Sequence, residues 1–274
     1  MKTFRLPFAS RLARLRTVTA FGAGLLLAQP ATAAVAVPLR ADYRFTGGFN
    51  SFTPGAPPLA PLGPVSFGPG VVDGQARTVL NFSANDGVSL APMSSVVPGP
   101  SYSLVLLFAF DEASDWRRIL DFKNAASDTG LYSLSGALNF YNEALGSGAP
   151  IVPGTFVQVV LTRDAAQTVT GYVDGVPQFS FPDVSNLALA DAGDVLRLFR
   201  DEDPVFPGEA SAGALARLRV YDSALTSGEV AALDRLPGMV ASTIRFSAGS
   251  YSFSESAGLA VLVVTRSGDR KSVV

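Results

Sequence analysis

The sequence predicts an all-β protein built as a two-sheet antiparallel sandwich. Short apolar runs rich in β-formers recur between Gly, Pro, Asn and Asp clusters, enough for ten or more strands. Gly (26) and Pro (19) are abundant while only 16% of the 274 residues are charged, a mix suited to short strands and many turns. One short stretch near residue 230 carries a helical pattern.

The elements follow in order. "LRADYRF" (39–45) alternates, which places Leu39, Ala41, Tyr43 and Phe45 on one face of a half-buried strand. The proline run from Pro54 to Pro69 should not enter a sheet ladder and reads as an extended surface loop. "TVLNFSANDGVSLA" (78–91) reads as two short strands around an Asn85-Asp86-Gly87 turn. "SYSLVLLFAFD" (101–111) is continuously apolar, as expected for a central strand covered on both faces. "DWRRILDFKN" (115–124) follows, with Trp116 as the single Trp, and "GLYSLSGALNFYN" (130–142) is a hairpin turning at Ser135-Gly136.

In "TFVQVVLTRD" (155–164) Val157, Val159 and Leu161 share a face. "TGYVDGVPQFSF" (170–181) is a hairpin whose Asp174-Gly175 suits a type I′ turn, since both residues tolerate φ > 0. A strict two-residue turn would set Phe179 and Phe181 opposite Thr170 and Thr168, which leaves the register of this hairpin open. "DVLRLFRDEDP" (194–204) and "GALARLRVYD" (213–222) are the last strands, the second carrying Leu215, Leu218, Val220 and Tyr221. In "SALTSGEVAALDRL" (223–236), Thr226 and Glu229 form a capping box ahead of Val230, Leu233 and Leu236. This helix is expected across one edge of the sheets.

Composition narrows the chemistry. The chain has no Cys and no His, which removes disulfides, thiolate chemistry, imidazole metal ligands and any His-based triad. A net charge of −2 from 21 basic and 23 acidic residues suggests no nucleic-acid partner. Residues 1–34 read as a secretory signal peptide: a basic start, the apolar core "TVTAFGAGLLLA", and small residues leading to cleavage near Ala34. That core falls short of the ~20 residues needed to cross a bilayer as a helix. The mature chain is therefore expected outside the cell, or on its surface, without a membrane span.

The order of these pieces resembles the LamG-like jelly-roll modules of the concanavalin A-like lectin/glucanase superfamily over residues 38–237. "VVLTRDAAQTVTGYVDG" and "ALARLRVYDSALTSGEVAAL" carry the resemblance most clearly. The chain departs from the family where a Trp-His pair usually precedes the first of these, having "GTFVQ" instead. The resemblance implies a concanavalin A-like jelly roll, a structural role for Asp174, and a non-catalytic binding or adhesion module facing an extracellular glycan or surface protein. The alternatives are a structural spacer of a larger cell-surface protein and a degenerate glycoside hydrolase. Residues 242–268 resemble the start of a Calx-beta domain through Phe246, Tyr251, Phe253, Glu255, Gly258, Val261, Val263, Thr265, Arg266 and Gly268. The tail "DRKSVV" (269–274) reads as foreign, because a common short-read sequencing adapter encodes it.

Candidate sites follow from the residues that remain. Glycosidases of this fold class pair carboxylates along one strand in an E-x-D-x-x-E arrangement, and the chain has no such spacing, so no enzyme is expected. Calcium takes six to eight oxygen ligands and suits the rim loops of a sandwich. Asp201, Asp203 and Glu209 lie within one loop, where Arg197 and Arg200 could instead balance the charge. Asp121, Asn124 and Asp128 form a second set. In some Calx-beta members the counterpart of Glu255 is a calcium ligand, which makes it a further candidate. Trp116, Tyr141 and Tyr172 are the aromatics available for a sugar platform.

Overall fold

The computed structural model describes residues 37–201 and 208–237, and the backbone of 243–246 and 264–267. The strands are β1 (Leu39–Tyr43), β2 (Ala60–Leu62), β3 (Val65–Val72), β4 (Gln75–Phe82), β5 (Gly87–Leu90), β6 (Tyr102–Phe110), β7 (Trp116–Asp121), β8 (Gly130–Leu134) and β9 (Ala137–Tyr141). They continue with β10 (Ala144–Leu145), β11 (Val157–Arg163), β12 (Thr168–Val173), β13 (Val176–Pro182), β14 (Leu196–Leu198), β15 (Gly213–Tyr221), β16 (Thr243–Phe246) and β17 (Val264–Ser267), with one helix, α1 (Ser227–Ala232). The first sheet runs β13-β12-β11-β6-β15-β4-β3, with β1 also paired to β15; the second runs β10-β9-β8-β7-β14-β5-β2. All pairings are antiparallel, as the sequence predicts. The unit Thr32–Leu236 holds this sandwich, and β16 and β17 belong to a separate unit, in which they pair with each other.

The core lies between the two sheets. β6 sits mid-sheet with all nine residues buried, so its unbroken apolar run is explained. Phe82, Phe108, Phe110 and Phe199 form an aromatic stack there, with Phe82 and Phe199 parallel at 4.4 Å. At one end of the sheet Arg163 of the "LTRD" segment is fully buried and paired with Asp183 at 2.8 Å.

Bulges account for three irregularities of the sequence pattern. Between Gly171 and Tyr172 the β12–β13 register shifts by one residue, setting Phe179 opposite Gly171 and Phe181 opposite Val169. Both rings thereby enter the core, and Gly171 is required, because a Cβ there would lie 2.5 Å from the Phe179 ring. The Asp174-Gly175 turn has φ of 48° and 82°, the I′ geometry. In β1 a bulge at Arg40 turns Leu39 away from the face of Ala41 and Tyr43, so the predicted alternation holds for three of its four residues. In β15 the shift between Leu215 and Arg217 leaves Leu215, Leu218 and Val220 in the core. Tyr221 packs outside.

Two expectations are corrected. The proline-rich segment is not a loop throughout: Pro61 lies in β2 and Pro69 in β3, paired opposite Val88 and Thr78. Both strands end their sheets, where a residue without an N–H costs no ladder bond on the open side. The helix, with its capping box formed as expected, does not cross an edge. Val230 and Leu225 seal onto Val105, Val160, Tyr172 and Tyr221, which belong to four adjacent strands of the first sheet's outer face.

Candidate functional site

The outer face of the second sheet carries a different set of side chains. Across β7, β8 and β9, Leu120, Leu131 and Phe140 pair in register and point into the core. Arg118, Tyr132 and Asn139 pair in register on the opposite face. The Arg118 guanidinium lies 4.3 Å over the Tyr132 ring. Trp116 and Tyr141, both half-buried, meet edge to face at 5.3 Å and flank Tyr132 at 5.5 and 6.3 Å. Gly130 makes room for the guanidinium, since a Cβ there would lie 3.0 Å from Arg118 Nη1 and 2.3 Å from the Leu120 carbonyl oxygen.

Three carboxylates converge on Arg118. Its Nε donates to Asp201 Oδ1 at 3.0 Å, and Nη2 lies 3.6 Å from Asp128 Oδ1. The chain after Phe199 returns beside β7, where Arg118 N donates to the Glu209 carbonyl at 2.8 Å, and this brings the third carboxyl to the cluster. One oxygen from each of Asp128, Asp201 and Glu209 lies within 4.8 Å of the others. Ligands of a single calcium at 2.3–2.6 Å stand at most about 5 Å apart, so the spacing fits that ion.

The electrostatics are unbalanced. Burial raises the Glu209 carboxyl above its ordinary range, and the charges of Asp201 and Asp128 push it further. Arg118 pulls the other way, as does the Tyr132 hydroxyl, which nevertheless makes no hydrogen bond of ordinary length. Tyr132 is 1% exposed, and burial drives its hydroxyl upward too. Asn139 Oδ1 and Asp128 Oδ1 are likewise buried without a hydrogen-bond partner. These buried polar atoms lie beside the half-exposed rings of Trp116 and Tyr141, which are the surface open to a ligand here.

Residues 82–231 match the Laminin_G_3 family of the concanavalin A-like lectin/glucanases superfamily, more than half of the chain. The chain belongs to that superfamily. Domain 4 of AbnA, an extracellular GH43 arabinanase of Geobacillus stearothermophilus solved with arabinotriose, shares the fold at a TM-score of 0.52 and 21% identity, over 71% of this chain and 97% of that one. The receptor-binding domain of botulinum neurotoxin type G aligns at 0.49 and 8% identity, over 70% of this chain and 49% of its own. The sialidase of Trypanosoma rangeli aligns at 0.46 and 18%, over 56% and 26%. No curated protein sequence matches the chain.

In this lectin/glucanase-type domain, the sequence-predicted residues divide cleanly. Asp201 and Glu209 meet as expected, but their third partner is Asp128, from the set read as separate. Asp203 and Glu255 lie outside the described residues, as do the signal segment 1–34 and the tail 269–274. Asp121 caps its own loop by accepting from Lys123 N and Ala125 N at 2.7 Å, and Arg197 pairs with it at 3.9 Å. Asn124 sits beside Gly193 in that turn. The cation in the cluster is Arg118, which sequence reasoning passed over. Its signal was available: "WRR" must send Trp116 and Arg118 to one face of a strand. Tyr172 is no platform, because it packs beneath α1 with 6% exposure. Asp174 holds its turn and also binds Arg235 and Gln158 N, tying the hairpin to the C-terminal segment.

Proposed function

We propose that the chain is an exported, non-catalytic module that binds a glycan on an extracellular surface through the outer face of its second sheet. The carrying observation is the Arg118–Tyr132–Asn139 row, with its unmatched polar atoms, set against the Trp116–Tyr141 corner. Sugar rings offer C–H faces to stack on aromatics and hydroxyls to pair with buried donors and acceptors. In the same reading a calcium ion joins Asp128, Asp201 and Glu209 and offsets the charge that Arg118 leaves over. Export by residues 1–34, and a Calx-beta module beginning at 242–268, complete the proposal.

Arabinotriose, which accompanies domain 4 of AbnA, is the first probe for titration, beside a neutral-glycan array. Trp116→Ala should weaken whatever binding is found by roughly tenfold or more, since about 1.4 kcal/mol of stacking is a tenfold change. Unchanged affinity in that variant would remove the outer face from the proposal. Reducing-sugar release by the pure protein would contradict the non-catalytic part.

A further inference from the structure

We propose that the loop following β1 forms a second saccharide site, which holds one sugar ring against the exposed ring of Phe52. The cavity there measures about 250 Å³ and is lined by Thr46, Gly48, Asn50, Ser51 and Phe52. That is just below the ~300–1,000 Å³ of pockets for drug-sized ligands, so it suits a single ring.

Phe52 is 54% exposed, yet it is fixed in place. Arg44 stacks on it at 4.4 Å from the ring centroid, and Arg44 is itself held by Asp42 at 2.8 and 2.7 Å. The Phe52 N–H donates to the Asp42 carbonyl at 2.8 Å, and Leu59 N–H to the Phe49 carbonyl at 3.0 Å. Ser51 Oγ accepts from the N–H groups of Asp42 and Thr53, both at 3.0 Å, which leaves its own proton to donate. An aromatic face immobilised before any ligand arrives spares the ordering cost of binding. Around it Thr46, Asn50 and Ser51 supply hydroxyl and amide groups, and the charge at hand is Arg44, which shares the Asp42 carboxylate with Arg217. Hydroxyl and amide groups beside an exposed aromatic ring suit the hydroxyls and C–H faces of a sugar.

The site shares no residue with the outer face of the second sheet, so the two can fail separately. The test uses the full chain carrying Trp116→Ala, with arabinotriose, xylotriose, cellotriose and chitotriose as probes in saturation-transfer NMR. At least one should receive transfer, weakened tenfold or more by Phe52→Ala and retained by Phe52→Tyr. Thermal melts should show that both variants fold, as an exposed ring allows. Transfer that Phe52→Ala leaves unchanged would overturn the site, and so would silence from all four sugars while Phe52 is intact. Phe52→Ala alone, with Trp116 present, reports on the outer face independently.

Discussion

The two outer faces of the sandwich carry opposite charge patterns, guanidiniums in excess on the first and carboxylates clustered on the second. On the first sheet Arg217 meets Asp42 at 2.8 Å and Asp234 at 3.0 Å, while Arg219 takes Asp234 at 2.8 Å and Gln158 at 3.1 Å. Arg44 adds a third guanidinium, on Asp42, and α1 with Leu225 and Val230 seals the apolar ground beside it. On the second sheet three carboxylates gather at Arg118, with Arg197 within electrostatic reach, and no α-helix among the described residues covers them. Burying a charge is costly unless it is paired and hydrogen-bonded. The first face pairs both its carboxylates within the fold, with Arg219 Nε left unbonded. On the second, burial and then Asp201 and Asp128 hold the Glu209 carboxyl above its ordinary range.

The largest effect should come from breaking the ion-pair network of the first face. Asp42→Ala strips a buried carboxylate from Arg217 and leaves the guanidinium with the more exposed Asp234 alone. Losing one partner of a buried pair typically costs about 3–5 kcal/mol. Urea denaturation of the full chain should show a loss of that size, with Asp42→Asn milder. A change below about 1 kcal/mol would mean that the network is not holding the C-terminal segment to the sheet.

The first face was also the more legible one. "ALARLRVYD…LTSGEVAALDRL" puts Arg217 and Arg219 at strand spacing and Asp234 beyond a capped helix, all within 20 residues. Strand alternation and the capping box are local signals, so those elements formed where they were read. What escaped was non-local. The bulges at Arg40 and between Gly171 and Tyr172 shift faces by one residue, and the second is chosen by the demand to bury Phe179 and Phe181. The prolines at positions 61 and 69 became strand residues because their strands happen to be outermost, which depends on the whole strand order. The acidic cluster joins residues 128, 201 and 209 from separate segments around residue 118, and no spacing rule links them.

A cation should act on the second face alone. With free calcium at one hundred times its dissociation constant, binding to the folded state adds about 2.7 kcal/mol. In a domain of this size that is roughly 5–10 °C in melting temperature. Asp128→Asn and Glu209→Gln should each abolish the increment, whereas Asp42→Ala should lower the baseline and keep the increment. A calcium response that survives both cluster variants would place the ion elsewhere, and no response to calcium against chelator would leave the arginines, Arg118 with Arg197 nearby, as the counter-charge.

The smallest effect is the sharpest contrast, because the two faces should respond to pH with opposite signs. Burial alone would raise the Asp42 carboxyl, but the hydrogen bonds and charges of Arg217 and Arg44 outweigh it and hold the group below 3.8. A depressed folded pKa means that Asp42 contributes stability present above 3.8 and lost as pH falls through the folded value. Glu209 is raised above 4.5, first by burial and then by Asp201 and Asp128, so the folded state holds its proton more tightly than the unfolded chain does. Its contribution is complete below 4.5 and disappears as pH rises through the raised value. In chelator, Glu209→Gln should therefore flatten the decline in melting temperature just above pH 4.5 while leaving the acid limb, set by Asp42, in place. Calcium should flatten the same decline in the wild-type chain, since a bound cation favours the ionised carboxylate. If Glu209→Gln moves the acid limb instead, Glu209 is serving the fold and the second face is balanced after all.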